Sequence, residues 1–250
     1  MERQNLMQLL SANPYPGRGI VIGNRYRPGA NAAVIAYWIM GRSENSRNRV
    51  FEATEDGIRT RAFDESKMTD PSLIIYHPVR VVGKKIVVTN GDQTDTIRDA
   101  LQLGGSFASA LRTREFEPDA PNYTPRISGL LERDGDYKLS ILKAGYGGGI
   151  CDRQFFEYTF RADTGHFIST YQGDGNPLPS FAGEPILVSI EADSAEELAT
   201  QLWESLNSEN KVSLFVQYID LRNGFPETVI INKHSGRTSS APKTSIWKEK

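Results

Sequence analysis

The chain is poor in the residues that build disulfides and metal centres. Cys151 is the only cysteine among 250 residues, which excludes an internal disulfide and suggests no oxidising compartment. The three histidines, His77, His166 and His234, are far apart and show no paired ligand spacing, so no transition-metal site is expected. No apolar run approaches the ~18 residues of a membrane-spanning helix. The start, Met1-Glu2-Arg3-Gln4-Asn5, lacks the apolar stretch of a secretion signal, and the cytoplasm is the expected compartment. Charge of one sign is also missing. With 29 Lys and Arg against 31 Asp and Glu, the net charge of −2 gives no pull toward nucleic acid or an anionic membrane. There is no Gly-x-Ser-x-Gly, no phosphate-loop Gly-Lys-Ser/Thr and no Gly-x-Gly-x-x-Gly after a strand. Neither covalent catalysis nor a cofactor is expected.

What is present is mostly strand. Gly19–Gly23, Ala32–Met40, Leu73–Tyr76, Val79–Val82, Lys85–Thr89, Arg126–Leu131, Tyr137–Leu142, Phe155–Phe160, His166–Tyr171, Ile186–Ile190, Val212–Leu221 and Thr228–Asn232 read as extended runs. Gly83-Lys84, Asp134-Gly135 and Asp163-Thr164-Gly165 read as hairpin turns between neighbours. Helices are expected over about Thr94–Leu103, over Ser106–Arg112, and after a capping box at Ser194 and Glu197. Asn232–Lys250 is polar and basic and predicts a poorly ordered tail. The pattern predicts an α+β domain with helices covering stacked antiparallel sheets.

Four polar stretches carry chemistry. In Thr89–Ile97, seven small polar residues join the β-branched run Ile86-Val87-Val88 to a helical pattern. Gly91 frees the backbone there, and the junction offers N–H groups, amides, hydroxyls and carboxylates. As a plain helix start it would use Thr94 or Asp95 as the cap. Arg42–Arg49 packs three arginines into eight positions, which suits phosphate or simply solvent, and its charge excludes it from the core. Phe116–Arg126 brings two carboxylates, an amide and an arginine close together. Ile74-Ile75-Tyr76-His77-Pro78 puts a phenol and an imidazole at a strand end.

Read in order, these stretches resemble the archaeal-type inosine monophosphate (IMP) cyclohydrolases. The resemblance rests on Gly17-Arg18-Gly19, Gly23-Asn24-Arg25, Arg42-Ser43 with Asn48-Arg49, Ile75-Tyr76, Val79–Gly83, Asn90-Gly91-x-x-Thr94-Asp95-Thr96-Ile97, Phe116–Asp119, Thr124–Ile127 and Ser169-Thr170-Tyr171. It covers roughly residues 17–235, leaving an extension at 1–16 and a basic tail at 236–250. It implies the four-layer αββα sandwich of N-terminal-nucleophile hydrolases, here without the nucleophile. It also implies closure of 5-formamidoimidazole-4-carboxamide ribonucleotide (FAICAR) to IMP with loss of water, and a homo-oligomer.

The same resemblance implies roles for single residues. Tyr76 would donate to, or exchange a proton with, the formyl oxygen, and Glu117 would act as acid–base near the carboxamide. Arg49, with Arg25 or Arg47 as a second candidate, would clamp the 5′-phosphate. Asn90, Gly91, Thr94 and Asp95 would hold ribose or base. Arg126 would hold Glu117 ionised or orient the substrate, and Tyr171 would form a wall or a hydrogen-bond partner. Two other readings stay open to the sequence: a catalytically silent or divergent purine-nucleotide binder, and a hydrolase of another amide-containing nucleotide.

Overall fold

The computed structural model describes residues 2–145 and 149–247. Two antiparallel sheets of seven strands each dominate it. In the first, β1 (Gly19–Arg25) and β2 (Ala32–Met40) lie beside β12 (Lys211–Asp220), β13 (Pro226–Asn232) and β14 (Gly236–Ser240), with β10 (Thr164–Ser169) and β11 (Ile186–Ser189) on the other flank. The second runs in chain order: β3 (Arg49–Thr54), β4 (Gly57–Ala62), β5 (Val79–Val82), β6 (Lys85–Thr89), β7 (Arg126–Glu132), β8 (Tyr137–Ala144) and β9 (Cys151–Tyr158). Among the described residues there are five α-helices, α1 (Leu6–Ala12), α2 (Glu44–Arg47), α3 (Gln93–Gln102), α4 (Phe107–Leu111) and α5 (Ala195–Ser205), and one 3-10 turn at Glu65–Lys67.

Strand periodicity sorts the side chains into three cores. On β2 every residue is buried, because the strand is central and both its faces are covered. Val34, Ala36, Trp38 and Met40 pack with Leu6 and Leu10 of α1 and Leu198 and Leu202 of α5. Ala33, Ile35, Tyr37 and Ile39 face the opposite way and meet Phe51, Ile86, Val88 and Ile127 of the second sheet. A third core places Val87 and Leu130 against Ile97 of α3 and Phe107 and Leu111 of α4. Burial of each large apolar side chain contributes about 1.5–3 kcal/mol, so this pattern fixes which face of each strand looks where.

Several expectations need correction. Leu73–Tyr76 is a turn and not a strand: the chain there bends so that Thr60 can hydrogen-bond the backbone of both Ile74 and Tyr76. The β3–β4 hairpin was hidden by its charge, since Arg59 and Arg61 alternate outward from the buried Ile58, Thr60 and Ala62. Asp163-Thr164-Gly165 is not a hairpin, because β9 ends one sheet and β10 enters the other. The connection carries Asp163 at φ 58°. The tail is ordered in part. Its β14 pairs with β13, and Trp247 is buried at the edge of the inter-sheet core. Leu6 and Leu10 likewise make α1 part of the core. In sequence, Gly147-Gly148-Gly149 reads as a loop or a close-packing point, and Gly147 and Gly148 lie outside the described residues.

Candidate active site

One mouth of the space between the sheets holds a concentration of buried polar groups. Arg18 precedes β1, in phase with Ile20 and Ile22, which face the second sheet. Tyr37 on β2 and Arg49 at the start of β3 share phase with Ile35 and Phe51 in the same way. Arg49 and Tyr37 are 0 % exposed, Arg18 9 % and Glu117 2 %. Clefts of about 690 and 740 Å³ lie elsewhere on the surface and contain no member of this cluster.

Local structure explains each placement. Gly17 has φ 73°, and a Cβ there would collide with Thr170 and Tyr171. The close approach lets the Arg18 backbone bond Thr170 on both sides, at 3.1 and 2.9 Å. Arg49 spends only its Nε, on the carbonyl of Ser46 at 2.9 Å. The Tyr76 backbone is pinned by the Thr60 hydroxyl at 2.8 Å, and its phenol oxygen lies 2.8 Å from that of Tyr37. Glu117 N donates to the carbonyl of Thr124 at 2.9 Å, closing the loop between α4 and β7. Tyr171 bonds the Thr124 hydroxyl at 2.6 Å, and its ring stacks on Tyr15 with centroids 6.0 Å apart.

The electrostatics are unusual for a protein interior. Among the described residues, Nη1 and Nη2 of Arg49, Nε of Arg18 and Oε1 of Glu117 are buried without a hydrogen-bond partner. Burial pushes the Glu117 carboxyl up to about 7, against the pull of Arg18, Arg126 and Arg49. Burial, then the like charge of Arg18, lowers the pKa of Arg49. Burial also opposes the charge on Arg18, but Glu117 with Tyr171, Tyr76 and Tyr15 outweighs it and holds the guanidinium above its ordinary value. Burial raises Tyr171 to about 12 and Tyr37 well above a normal phenol. Unpaired buried donors, and an unpaired acceptor that takes up protons near neutrality, are costly unless a ligand completes them.

The structure brings Arg49, Tyr76, Glu117, Arg126 and Tyr171 together, with Gly91 beside them. A Cβ on Gly91 would sit 2.6 Å from Nη1 of Arg126 and 3.5 Å from Oε1 of Glu117. Arg126 spans from this point to Asp92 and Gln93, both at 2.7 Å. Other candidates are committed elsewhere. Arg25, at the far end of β1, is paired with Asp163 and Asp193, both at 2.8 Å. Arg47 donates to the carbonyl of Gly41 and to Asn210. Asp95 is paired with Arg80 and Arg98. Asn90 bonds the backbone of Pro125 and Ile127, and Thr94 bonds Thr89 and Gly91 O. These two build the turn, and Asn90 also accepts from Gln93, which in turn takes Nη1 of Arg126. Helix α3 begins at Gln93, so its N-cap is Asp92, which makes no side-chain capping bond, and not Thr94 or Asp95.

Three members escaped the sequence reading. Arg18 stood in a quoted motif without a role, Tyr37 lay in an apolar strand, and Tyr15 preceded the matched region. The adjacent glycines Gly17 and Gly19 were the available signal for Arg18. For Tyr37 the signal was a phenol at an inward position of a central strand.

Fold and cluster define a two-sheet α/β protein with a buried guanidinium, phenol and carboxyl site between its layers. The family model for IMP cyclohydrolase-like protein matches residues 15–224. A Methanocaldococcus jannaschii protein named IMP cyclohydrolase is 28% identical over 211 residues, covering 82% of this chain and 94% of its own length. One from Methanococcus maripaludis is 31% identical over 189 residues, 74% of this chain and 85% of the relative. One from Methanococcus aeolicus is 26% identical over 164 residues, 63% and 74% respectively. The chain belongs to the IMP cyclohydrolase-like family.

Proposed function

We propose that the protein closes the pyrimidine ring of FAICAR to give IMP and water, as a late step of purine synthesis. The observation that carries this reading is the buried set at one mouth of the inter-sheet space. Two guanidiniums there face a carboxyl that titrates near neutrality and a phenol beside it. The names of the relatives support the same reaction.

Both reacting groups belong to one molecule, so the protein's first task is to hold their rotamers. The carboxamide nitrogen forms a bond to the formyl carbon and loses one proton, which Glu117 accepts as carboxylate. The formyl oxygen takes up a proton, either from Tyr76 or from protonated Glu117 while Tyr76 hydrogen-bonds it, and becomes a hydroxyl. Loss of that oxygen as water then requires a second proton from the formamide nitrogen, and the C=N bond of the product forms. Glu117 is suited to move these protons because its pKa lies close to neutral pH. Arg49 and Arg18 supply unpartnered donors for phosphate or a developing oxyanion. Arg126 orients Glu117 across Gly91, and Tyr171 walls the site.

The same reading covers the architecture and setting. We take the three cores to be those of the αββα sandwich of N-terminal-nucleophile hydrolases, with residues 17–235 as its single domain. We place the protein in the cytoplasm as a homo-oligomer.

The test is to mix purified protein with FAICAR and follow IMP formation against the spontaneous rate. Acceleration that is lost in Glu117→Gln supports the proposal, and no acceleration sinks it. Tight IMP binding without turnover would replace it with a silent nucleotide binder.

A further inference from the structure

Tyr37 is fully buried, and its ring stacks on Phe51 with centroids 5.6 Å apart. Its hydroxyl is held in a single place, 2.8 Å from the hydroxyl of Tyr76. The charged groups that bear on it are Arg18 and Arg49. A guanidinium carries only donors, so neither arginine can receive the Tyr37 proton. Among the described residues, the acceptor available to that proton is the Tyr76 oxygen. If the bond ran the other way, the Tyr37 proton would be buried with no acceptor.

We propose that Tyr37 is a positioning residue that donates to Tyr76 and thereby turns the Tyr76 proton outward, toward the ligand. Tyr76 then acts as a fixed donor to the substrate's reacting oxygen. Tyr37 strengthens that donor, because a hydroxyl that accepts one hydrogen bond donates a second more strongly. Tyr37 itself never touches substrate. The inference rests on the cyclohydrolase reading and sharpens it by choosing donation over proton exchange for Tyr76, so the proton that the formyl oxygen takes up is the one Glu117 removed from the carboxamide nitrogen, and Tyr76 keeps its own.

Tyr37→Phe keeps the ring and removes the donor. It is expected to lower kcat about tenfold, with KM and IMP affinity within about twofold and a thermal midpoint lowered by only a few degrees. Tyr76→Phe should cost more, and the double variant should be no slower than Tyr76→Phe alone, because Tyr37 acts only through Tyr76. Wild-type kcat in Tyr37→Phe would overturn the inference, as would a double loss equal to the product of the single losses. A second measurement needs no turnover. In protein carrying 13C-labelled tyrosine, the hydroxyl proton of this bond should correlate with the ring carbons of Tyr37. Correlation with Tyr76 would overturn the assignment. A wild-type protein that fails to cyclise FAICAR would sink the proposed reaction, yet this resonance would still judge the direction of the bond.

Discussion

The two ends of β1 each present an arginine, and they treat it in opposite ways. Arg25 is partly exposed and each of its nitrogens has a partner: Asp163, Asp193 and the carbonyl of Ile190 take its donors. Arg18 lies about 23 Å away, at ~3.3 Å per strand residue. It is buried, near a second buried guanidinium, and its Nε has no partner. Folding alone gains from the first arrangement and loses from the second. A motif match cannot tell them apart, since both arginines sit in quoted motifs. What separates them is whether the protein supplies the missing acceptors.

Substitutions at the two ends should therefore fall into separate classes. The largest effect belongs to the carboxyl facing Arg18. Glu117→Gln is expected to lower kcat by on the order of 10²–10⁴-fold, the usual weight of a positioned acid–base group. Arg49→Met should reduce kcat/KM roughly 100-fold, mainly by weakening the hold on an anionic group, as read from steady-state kinetics. The wild-type kcat/KM should fall about tenfold for each pH unit below about 7, as Glu117 becomes protonated, and Glu117→Gln should lack that limb. Arg25→Met is the counter-test: turnover within about twofold, with a loss of only ~1 kcal/mol in denaturant unfolding. A large kinetic effect at Arg25, or none at Arg49, would erase the contrast between the ends.

A stability measurement sharpens the same point. The folded Glu117 has a pKa raised above that of the unfolded chain, so the native state binds the extra proton between about 4.5 and 7. Its contribution is favourable below that window and is lost as pH rises through it. Glu117→Gln removes the ionising group and should unfold a few degrees higher than wild type at pH 8, with a smaller difference at pH 5. Calorimetry at the two pH values checks this.

Much of the frame could be read from the sequence because burial leaves a period. Ala32–Met40 is the same strand in both readings, since a central strand covered on both faces is an uninterrupted apolar run. The Gly83-Lys84 and Asp134-Gly135 turns were legible because glycine at φ 60° and 94° marks them. Strands β3 and β4 were not legible, because Arg49, Arg59 and Arg61 make the segment look like solvated loop. Arg49 is the instructive failure: charge argued for exposure, and the chain buries it completely. In the site, Tyr76 and Glu117 came from the family resemblance. For Arg18 and Tyr37 the flanking glycines and the inward phenol were weak signals, because the unmet Nε of Arg18 and the pairing of Tyr37 with Tyr76 are properties of space and not of spacing.

The cluster draws on both sheets at once. Arg18 and Tyr37 come from the first, whereas Arg49, Tyr76, Glu117 and Arg126 belong to strands and loops of the second. Neither layer has a site alone, so a nucleotide bound there acts as a rivet between them. Mass action then ties occupancy to docking: at a hundredfold excess over Kd, ligand adds about 2.7 kcal/mol against any opening that separates the sheets. Amides on facing strands of both layers should slow in hydrogen exchange together when the rivet is in place, including strands that never touch the ligand.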